Sequence, residues 1–461
     1  MTAWVDDASV ALVADLYELT MAAAYLEGGL DETPAVFEVS VRSLPPERNF
    51  LVAAGIEDSL SSLESFRFDP GSIDYLASLG RFDEAFLDVL AGFRFGGEVR
   101  AVREGTVLFA QEPLLQVSGG LLESQIAETL LLTTAGFQTL IASKAARVRI
   151  AAGERSVADF GARRAHGPDA ALKAARAAFA GGANATSLVL AGRTYGIPVT
   201  GTMAHSYVLG HSSEFDAFVA YGRAFPRDAV FLIDTFDTVE GARVAARAAR
   251  ALAEEGIEVQ GVRLDSGDLG DLARRVRDVL DDAGFPGIRI LASGGLDEHS
   301  ISALRESPID GFGVGTQLTT SGDAPALEIV YKLVEQRGAP RMKTSTGKLT
   351  LPGRKQVYRR TREGRLAGDT IALAGETGLA GVPLLETAME DGRTVRPPEL
   401  LGTIRDRALA GIASLPDELR RLDRRGTPPV RRSERLDALV VELGGPSQDD
   451  PGPPIGGEPL D

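Results

Sequence analysis

The sequence predicts an α/β protein: an irregular parallel β/α (TIM-like) barrel, joined to an α+β domain with antiparallel strands formed from the N-terminal and post-barrel segments. Three observations predict it. From Ser156 onward, short apolar runs alternate with amphipathic segments such as Val239–Glu255 and Leu269–Ala283, the signature of parallel strands joined by helices. Six runs follow one another too closely for an open dinucleotide sheet (Ser156–Phe160, Pro198–Met203, Ala229–Asp234, Val259–Leu264, Ile288–Ala292 and Asp310–Val314), and a closed or nearly closed barrel fits them better. Before them, GEVRAVREGTVLFAQEPLLQVSG over 97–119 breaks alternating apolar residues at Glu104-Gly105 and Glu112-Pro113, as a small antiparallel unit does.

The other elements follow in order. Leu12–Leu26 carries apolar residues at helical spacing, with Asp15, Glu18 and Thr20 on its polar side. Ala35–Val41 alternates as a strand, and 42–48, RSLPPER, is a proline-rich turn. Val52–Phe66 reads as a second helix and Glu123–Ala152 as a long one, ending in Lys144, Arg147 and Arg149 as a helix C-terminus prefers. After Gly322 the repeat stops. Arg341–Arg360 reads as a basic, hairpin-like, solvated edge. The expected domains are 12–122 with 335–400, the barrel at 123–334, a helical extension at 401–443 and a disordered acidic tail at 444–461.

Composition bounds the function. The 461 residues are 44% hydrophobic and 25% charged, with a formal net charge of −16. That excludes general nucleic-acid binding, which needs a basic surface. The absence of cysteine removes disulfides, thiolate nucleophiles and Cys-ligated metal centres. No basic-then-apolar leader and no membrane-length apolar run is present, so a cytoplasmic, non-membrane protein is expected.

Polar and glycine residues concentrate where the predicted strands end, the rim on which such barrels place their chemistry. These ends read Asp159-Phe-Gly-Ala-Arg163-Arg164, Thr202-Met-Ala-His205-Ser206, Asp234-Thr235, Arg263-Leu-Asp265-Ser266-Gly267-Asp268, Ser293-Gly294-Gly295 and Gly313-Val-Gly315-Thr316. Asp234, Asp265 and Asp268 suit a divalent cation or the diol of a ribose. The two glycine pairs let backbone N–H groups approach a phosphate. Phe160 with the guanidinium groups of Arg163 and Arg164 suits a flat aromatic acid. The residues alone therefore point to a barrel enzyme acting on a phosphorylated sugar, with His205 of undefined role.

The motifs ADLYELTMAAAYLEGG, FEVSVRSLP, DFGARRAHGPDA, GTMAHSYV, RLDSGDL, ILASGGLDE, DGFGVGTQL and PRMKTSTGKLTLPGRKQVYR resemble those of the nicotinate phosphoribosyltransferase family, from Leu12 to about Arg360. The resemblance implies coupling of nicotinate with 5-phosphoribosyl 1-diphosphate to give nicotinate mononucleotide and diphosphate, in NAD salvage. Mg2+ and accompanying ATP hydrolysis belong to that expectation. His205 would be the histidine phosphorylated by ATP. Asp265 would bind the ribose hydroxyls and the magnesium-bound diphosphate, with Arg263 close by. Gly294, Gly295, Gly313 and Gly315, with Thr316, would cradle the 5-phosphate. Phe160 would stack on the pyridine ring and Arg163 face the nicotinate carboxylate, with the hydroxyls of Thr186 and Ser187 nearby. Tyr17 would cover the other ring face from the partner subunit of a homodimer, and Arg42 and Lys343 would add phosphate contacts. Where the family more often has Asn, this chain has Leu188, and the stretch 181–188, GGANATSL, holds no carboxylate. Related nicotinamide enzymes place an Asp there, so its absence favours an anionic base. His166 is given no role.

Alternatives are a nicotinamide or quinolinate phosphoribosyltransferase and a catalytically silent phosphoribosyl-binding barrel. A barrel aldolase would need a Schiff-base lysine at a strand end, and none of the six ends carries one.

Overall fold

The computed structural model describes residues 5–6, 9–345, 349–423 and 426–448. It divides into two compact units, Lys144–Pro325 and the remainder on either side of it in the chain. The sequence reading put the joints at 122/123 and 334/335 instead.

In the central unit, six parallel strands lie in the order Ala185–Thr186, Ser156–Asp159, Gly311–Val314, Arg289–Ala292, Gly261–Leu264 and Val230–Leu232. Each is short, and helices such as Thr238–Glu254 and Leu269–Asp282 return the chain between them. Parallel strands need such crossovers, and the helices bury one face of the sheet. Five of the six expected runs form strands here. The sixth, Pro198–Met203, does not. It touches the sheet through one bridge, Val199 to Thr186, made by Thr186 N–H to Pro198 O (3.0 Å) and Thr200 N–H to Thr186 O (2.9 Å). Its neighbour, Ala185–Thr186, is two residues long and offers no longer ladder, and Val199 is 51% exposed rather than buried.

Beneath the helices, an ion cluster is sealed in this unit. Lys144, 2% exposed, reaches Asp323 at 2.8 Å and Glu298 at 2.5 Å, and Arg147 meets Glu298 at 2.6 Å. Of the basic residues read as a helix C-terminus, Lys144 and Arg147 are thus buried partners of a carboxylate on the helix Glu298–Ala303, while Arg149 does lie in the last turn.

The other unit is built on a seven-stranded sheet ordered Ala339–Pro340, Ile329–Gln336, Pro34–Val41, Pro113–Gly120, Glu98–Ala101, Glu386–Glu390 and Arg393–Thr394, with antiparallel pairings throughout. Strand Pro34–Val41 is buried on both faces after its first residue, so its alternation marks a central strand and not a solvated one. Phe37 stacks on Tyr331 across it (centroids 4.9 Å apart). Helix Leu16–Glu27 starts later than the sequence pattern suggested, because Asp15 and Glu18 form a capping box there. The expected helix at 52–66 begins only at Ile56. Leu51–Val52 pairs with Val107–Leu108, and Gly55 makes the corner at φ +81°, where a Cβ would come within 2.6 Å of Thr134 O. The long helix is interrupted, running as Leu121–Gln125 and Glu128–Ala152.

The basic stretch at 341–360 is not a solvated hairpin. Residues 341–345 form no strand and 346–348 lie outside the described residues. The hairpin is Lys355–Arg362 with Arg365–Leu373, inside a four-stranded sheet completed by Val382–Pro383 and Val430–Arg432. The extension at 401–443 thus contributes a strand as well as helices. Of the tail, 449–461 lies outside the described residues, and Ser447 and Gln448 hydrogen-bond back to Asp437.

Lys355 shows why the stretch is not solvated. It is fully buried, 3.1 Å from Glu38, and donates to Leu351 O and Gly353 O. Glu38 also accepts from Gln116 at 2.9 Å. Burial pulls the lysine down and pushes the glutamate up, and their attraction opposes both shifts. Removing one partner strands the other charge. Lys355→Met is expected to cost roughly 3–5 kcal/mol in urea unfolding, and Glu38→Leu in the same chain to recover most of it.

Candidate active site

The C-terminal ends of the strands Val230–Leu232, Gly261–Leu264 and Arg289–Ala292 form a hydrogen-bonded rim. Asp234 follows strand Val230–Leu232 and is 9% exposed. Its Oδ2 accepts the Asp265 N–H (3.1 Å) and the Ser266 hydroxyl (2.5 Å). The Asp265 carboxylate accepts from Ser293 Oγ, and Ser293 N–H donates to Leu264 O. Gly294 comes next at φ +91° and Gly295 at +66°. A Cβ on Gly294 would sit 1.9 Å from Asp265 O, so only glycine permits this approach. His205, half-buried at the start of helix His205–Leu209, holds Thr235 Oγ1 with its Nδ1 at 3.2 Å. That contact leaves Nε2 as the ring's other nitrogen for chemistry.

The same unit holds a cavity of about 320 Å³, walled by Phe160, Arg263, Gly313 and Thr202 and, toward the N-terminal ends of the strands, by Ser156 and Arg289. It exists because inward positions that a packed barrel fills with branched residues are here Ala158, Ala185, Ala292 and Gly313. The volume falls in the range of small-molecule sites. The Arg263 guanidinium lies 5.9 Å from the Phe160 ring centroid, donates to Met203 O at 2.9 Å, and keeps a buried Nε without a partner. Burial lowers its pKa, while Asp265 and Asp234 work to hold the charge.

The candidate residues divide on inspection. Phe160, His205, Arg263, Asp265, Gly294 and Gly295 assemble as described. Gly313 is spent on packing, since a Cβ there would lie 2.3 Å from the Phe160 ring; Gly315 sits against Phe160 O. Arg163, in the short turn Ala162–Arg164, and Thr316 are exposed. Asp268 caps helix Leu269–Asp282 through Gly270 and Asp271 N–H groups, a structural use. Thr186 is fully buried, its hydroxyl 2.8 Å from Asp159; Ser187 is half-buried. His166 is exposed.

Tyr17, Arg42 and Lys343 belong to the other unit. Tyr17 is 45% exposed, and its hydroxyl is pushed up by burial and by the charges of Glu128, Glu18 and Asp15. Lys332 was missed by sequence reasoning. Burial lowers its pKa, Glu128 raises it, and Arg42 and Lys343 lower it further, so three cations share one neighbourhood. Its place in an ordinary strand, Ile329–Gln336, gave no signal. Asp159 was noted at a strand end without a role. The carboxylate that 181–188 lacks is supplied from the adjacent strand, yet both its oxygens face donors of the fold, Gly161 N–H and the Thr186 hydroxyl.

The chain matches the nicotinate phosphoribosyltransferase N-terminal domain over residues 12–135 and the nicotinate phosphoribosyltransferase family over residues 155–350. It is 49% identical over 438 residues to a nicotinate phosphoribosyltransferase of Mycobacterium tuberculosis, covering 94% of each chain. With the Bacillus subtilis nicotinate phosphoribosyltransferase it shares 42% over 381 residues, 80% of this chain and 77% of that one. The crystal structure of human nicotinic acid phosphoribosyltransferase superposes with a TM-score of 0.83 at 32% identity, over 93% of this chain and 99% of that one. An α/β enzyme built on a parallel sheet is the class that fold and relatives define. Within it, the chain belongs to the nicotinate phosphoribosyltransferase family.

Glu18, buried beside Tyr17, carries a pH dependence. Its Oε1 accepts from Asp15 N–H and Thr129 N–H, and Oε2 has no partner. Burial, against those hydrogen bonds, raises its pKa from 4.5 to about 7. A raised folded pKa means that the fold holds the proton more tightly, so this stabilisation is complete below pH 4.5 and lost as pH rises through about 7. Relative to Glu18→Gln, the wild-type melting temperature is therefore expected to fall between pH 4.5 and 7.5, read by scanning calorimetry. A constant difference would refute it.

Proposed function

We propose that the chain is a nicotinate phosphoribosyltransferase, forming nicotinate mononucleotide and diphosphate from nicotinate and 5-phosphoribosyl 1-diphosphate, with coupled ATP hydrolysis, in NAD salvage. The observation that supports the reading is the hydrogen-bonded set of Asp234, Asp265 and Ser293, with Gly294 against Asp265 O, in the same unit as the cavity walled by Phe160 and Arg263. The set offers a ribose-phosphate a carboxylate and open backbone, and the cavity offers a flat ring a pocket.

In this reaction the pyridine nitrogen bonds to the anomeric carbon as the carbon–oxygen bond to diphosphate breaks. The transition state is oxocarbenium-like, so positioning and charge stabilisation dominate. Phe160 would hold the ring, and Arg163 and Arg263 supply positive charge toward its carboxylate. Asp265 would orient the ribose hydroxyls, and Gly294 and Gly295 the 5-phosphate. Magnesium, when bound, neutralises the diphosphate. No group of three or more acidic or histidine side chains that could hold a metal occurs among the described residues. The fitting donor set is therefore small: Asp265, with Asp234 Oδ1 buried and unpartnered. That suits an ion carried largely by substrate phosphates and water.

His205 is the proposed phosphorylation site, Nε2 taking the phosphoryl group while Thr235 fixes the ring. A phosphohistidine would alter the charge beside the diphosphate and so the substrate affinities, the differential binding that coupling needs. We also propose that the six strands belong to an irregular TIM-like barrel, and that the chain acts in the cytoplasm as a homodimer with Tyr17 crossing to the partner's site.

The test is product formation from 5-phosphoribosyl 1-diphosphate with nicotinate, nicotinamide or quinolinate, each with and without ATP. Nicotinate alone should react, and faster or further with ATP. His205→Ala should lose the ATP effect while keeping basal transfer. Product chiefly from nicotinamide would overturn the base assignment, and no product from folded protein would leave a phosphoribosyl-binding barrel. Gly294→Ala, which drives a Cβ into Asp265 O, is expected to cut kcat/KM for 5-phosphoribosyl 1-diphosphate by on the order of 100-fold.

A further inference from the structure

Phe160 and Arg163 sit on the loop 160–164, and Ser187 on the loop 186–188. Ser156–Asp159 is held on one side by a four-residue ladder to Gly311–Val314, but on the side of Ala185–Thr186 the pairing is short. Ser156–Asp159 and Ala185–Thr186 pair over two residues only, Asp159 lying opposite Thr186. Beyond that ladder the two loops are joined by one backbone bond and by a pair of side chains. Asp159, 3% exposed, takes Gly161 N–H on Oδ1 at 2.8 Å and the Thr186 hydroxyl on Oδ2 at 2.8 Å. Thr186 Oγ1 in turn accepts Leu188 N–H at 3.1 Å, and Asp159 O accepts Ser187 N–H at 2.8 Å. Each loop is thus pinned at its first turn to the same buried carboxylate.

The surroundings leave the turn little freedom. A Cβ on Gly161 would lie 2.6 Å from Thr319 Cβ and 3.0 Å from Asp159 Oδ1. Phe160 N–H is held by Val314 O, and the Phe160 ring lies flat on Gly313. Thr186, for its part, exposes no surface to a ligand. Its hydroxyl has one proton and donates it to Asp159.

We infer that Asp159 and Thr186 form a positioning pair that locks loops 160–164 and 186–188 into one arrangement, so that Thr186 serves the aromatic-acid subsite through Asp159 and not by touching the substrate. The inference rests on the nicotinate reading for which substrate is affected, not for the pair itself.

Steady-state kinetics on the full chain, varying nicotinate and 5-phosphoribosyl 1-diphosphate in turn, test it. Thr186→Val keeps the shape and removes both hydrogen bonds. Asp159→Asn keeps the shape and the Thr186 hydroxyl but turns an N–H toward it. Both should raise KM for nicotinate by about tenfold, the effect of one lost hydrogen bond, with KM for 5-phosphoribosyl 1-diphosphate and kcat within about twofold. Thr186→Ser, which retains the hydroxyl, should recover most of the loss. Amide hydrogen exchange should quicken together in 160–164 and 186–188 in both damaging variants, and not after strand Val230–Leu232. If Thr186→Val alone raises KM while Asp159→Asn does not, Thr186 contacts the substrate directly and the pair is refuted. Equal rises in both KM values, or a lower melting temperature with unchanged kinetics, would reduce it to a support of the fold. Should the wild type fail to use nicotinate, the activity reading falls, and the exchange measurement still decides whether the two loops are locked together.

Discussion

The Asp234 carboxylate is the tie on which the site depends. Through one oxygen it holds the backbone of Asp265 and the hydroxyl of Ser266, and through Asp265 the next strand end follows. Short parallel strands would otherwise finish in loose loops, since a ladder of three or four residues ends where the chemistry begins. A buried acceptor seeks donors, and Asp234 Oδ2 finds them in the loop after the next strand, while Oδ1 keeps none. Rigidity at the rim is thus a by-product of burying charge correctly.

Much of this was legible in the sequence. Strand–helix alternation gave five of the parallel strands, because apolar runs bounded by polar turns have few other uses in a parallel sheet. Asp265 and the pair Gly294-Gly295 could be singled out because they follow parallel strands in polar, glycine-rich clusters, whereas His205 follows Pro198–Met203, which forms no strand. Pro198–Met203 failed because a β-branched run reports propensity and not a partner. Gly313 shows a related ambiguity. A glycine at a strand end looks the same whether it frees a backbone N–H for phosphate or makes room for a ring. Asp159 was noted at a strand end without a role and Lys332 was not noted at all, because burial and neighbouring charge decide what they do, and neither is written in local pattern.

The other unit handles charge differently. It seals Glu38 with Lys355, and Asp369 with Arg359 at 2.6 Å, inside strands. Lys355 read from sequence as a solvated edge residue because charge runs usually are. Its strand instead packs into a sheet interior, where each charge is tolerated only with its partner in place.

Gly313 and Phe160 meet at 2.3 Å between a would-be Cβ and the ring, so the two positions cannot change independently. A side chain at 313 demands a smaller residue at 160, and the lost ring would have to be replaced from elsewhere in the pocket. A library that randomises 160 while 313 stays glycine would therefore leave unsampled every pocket shape that needs a side chain at 313.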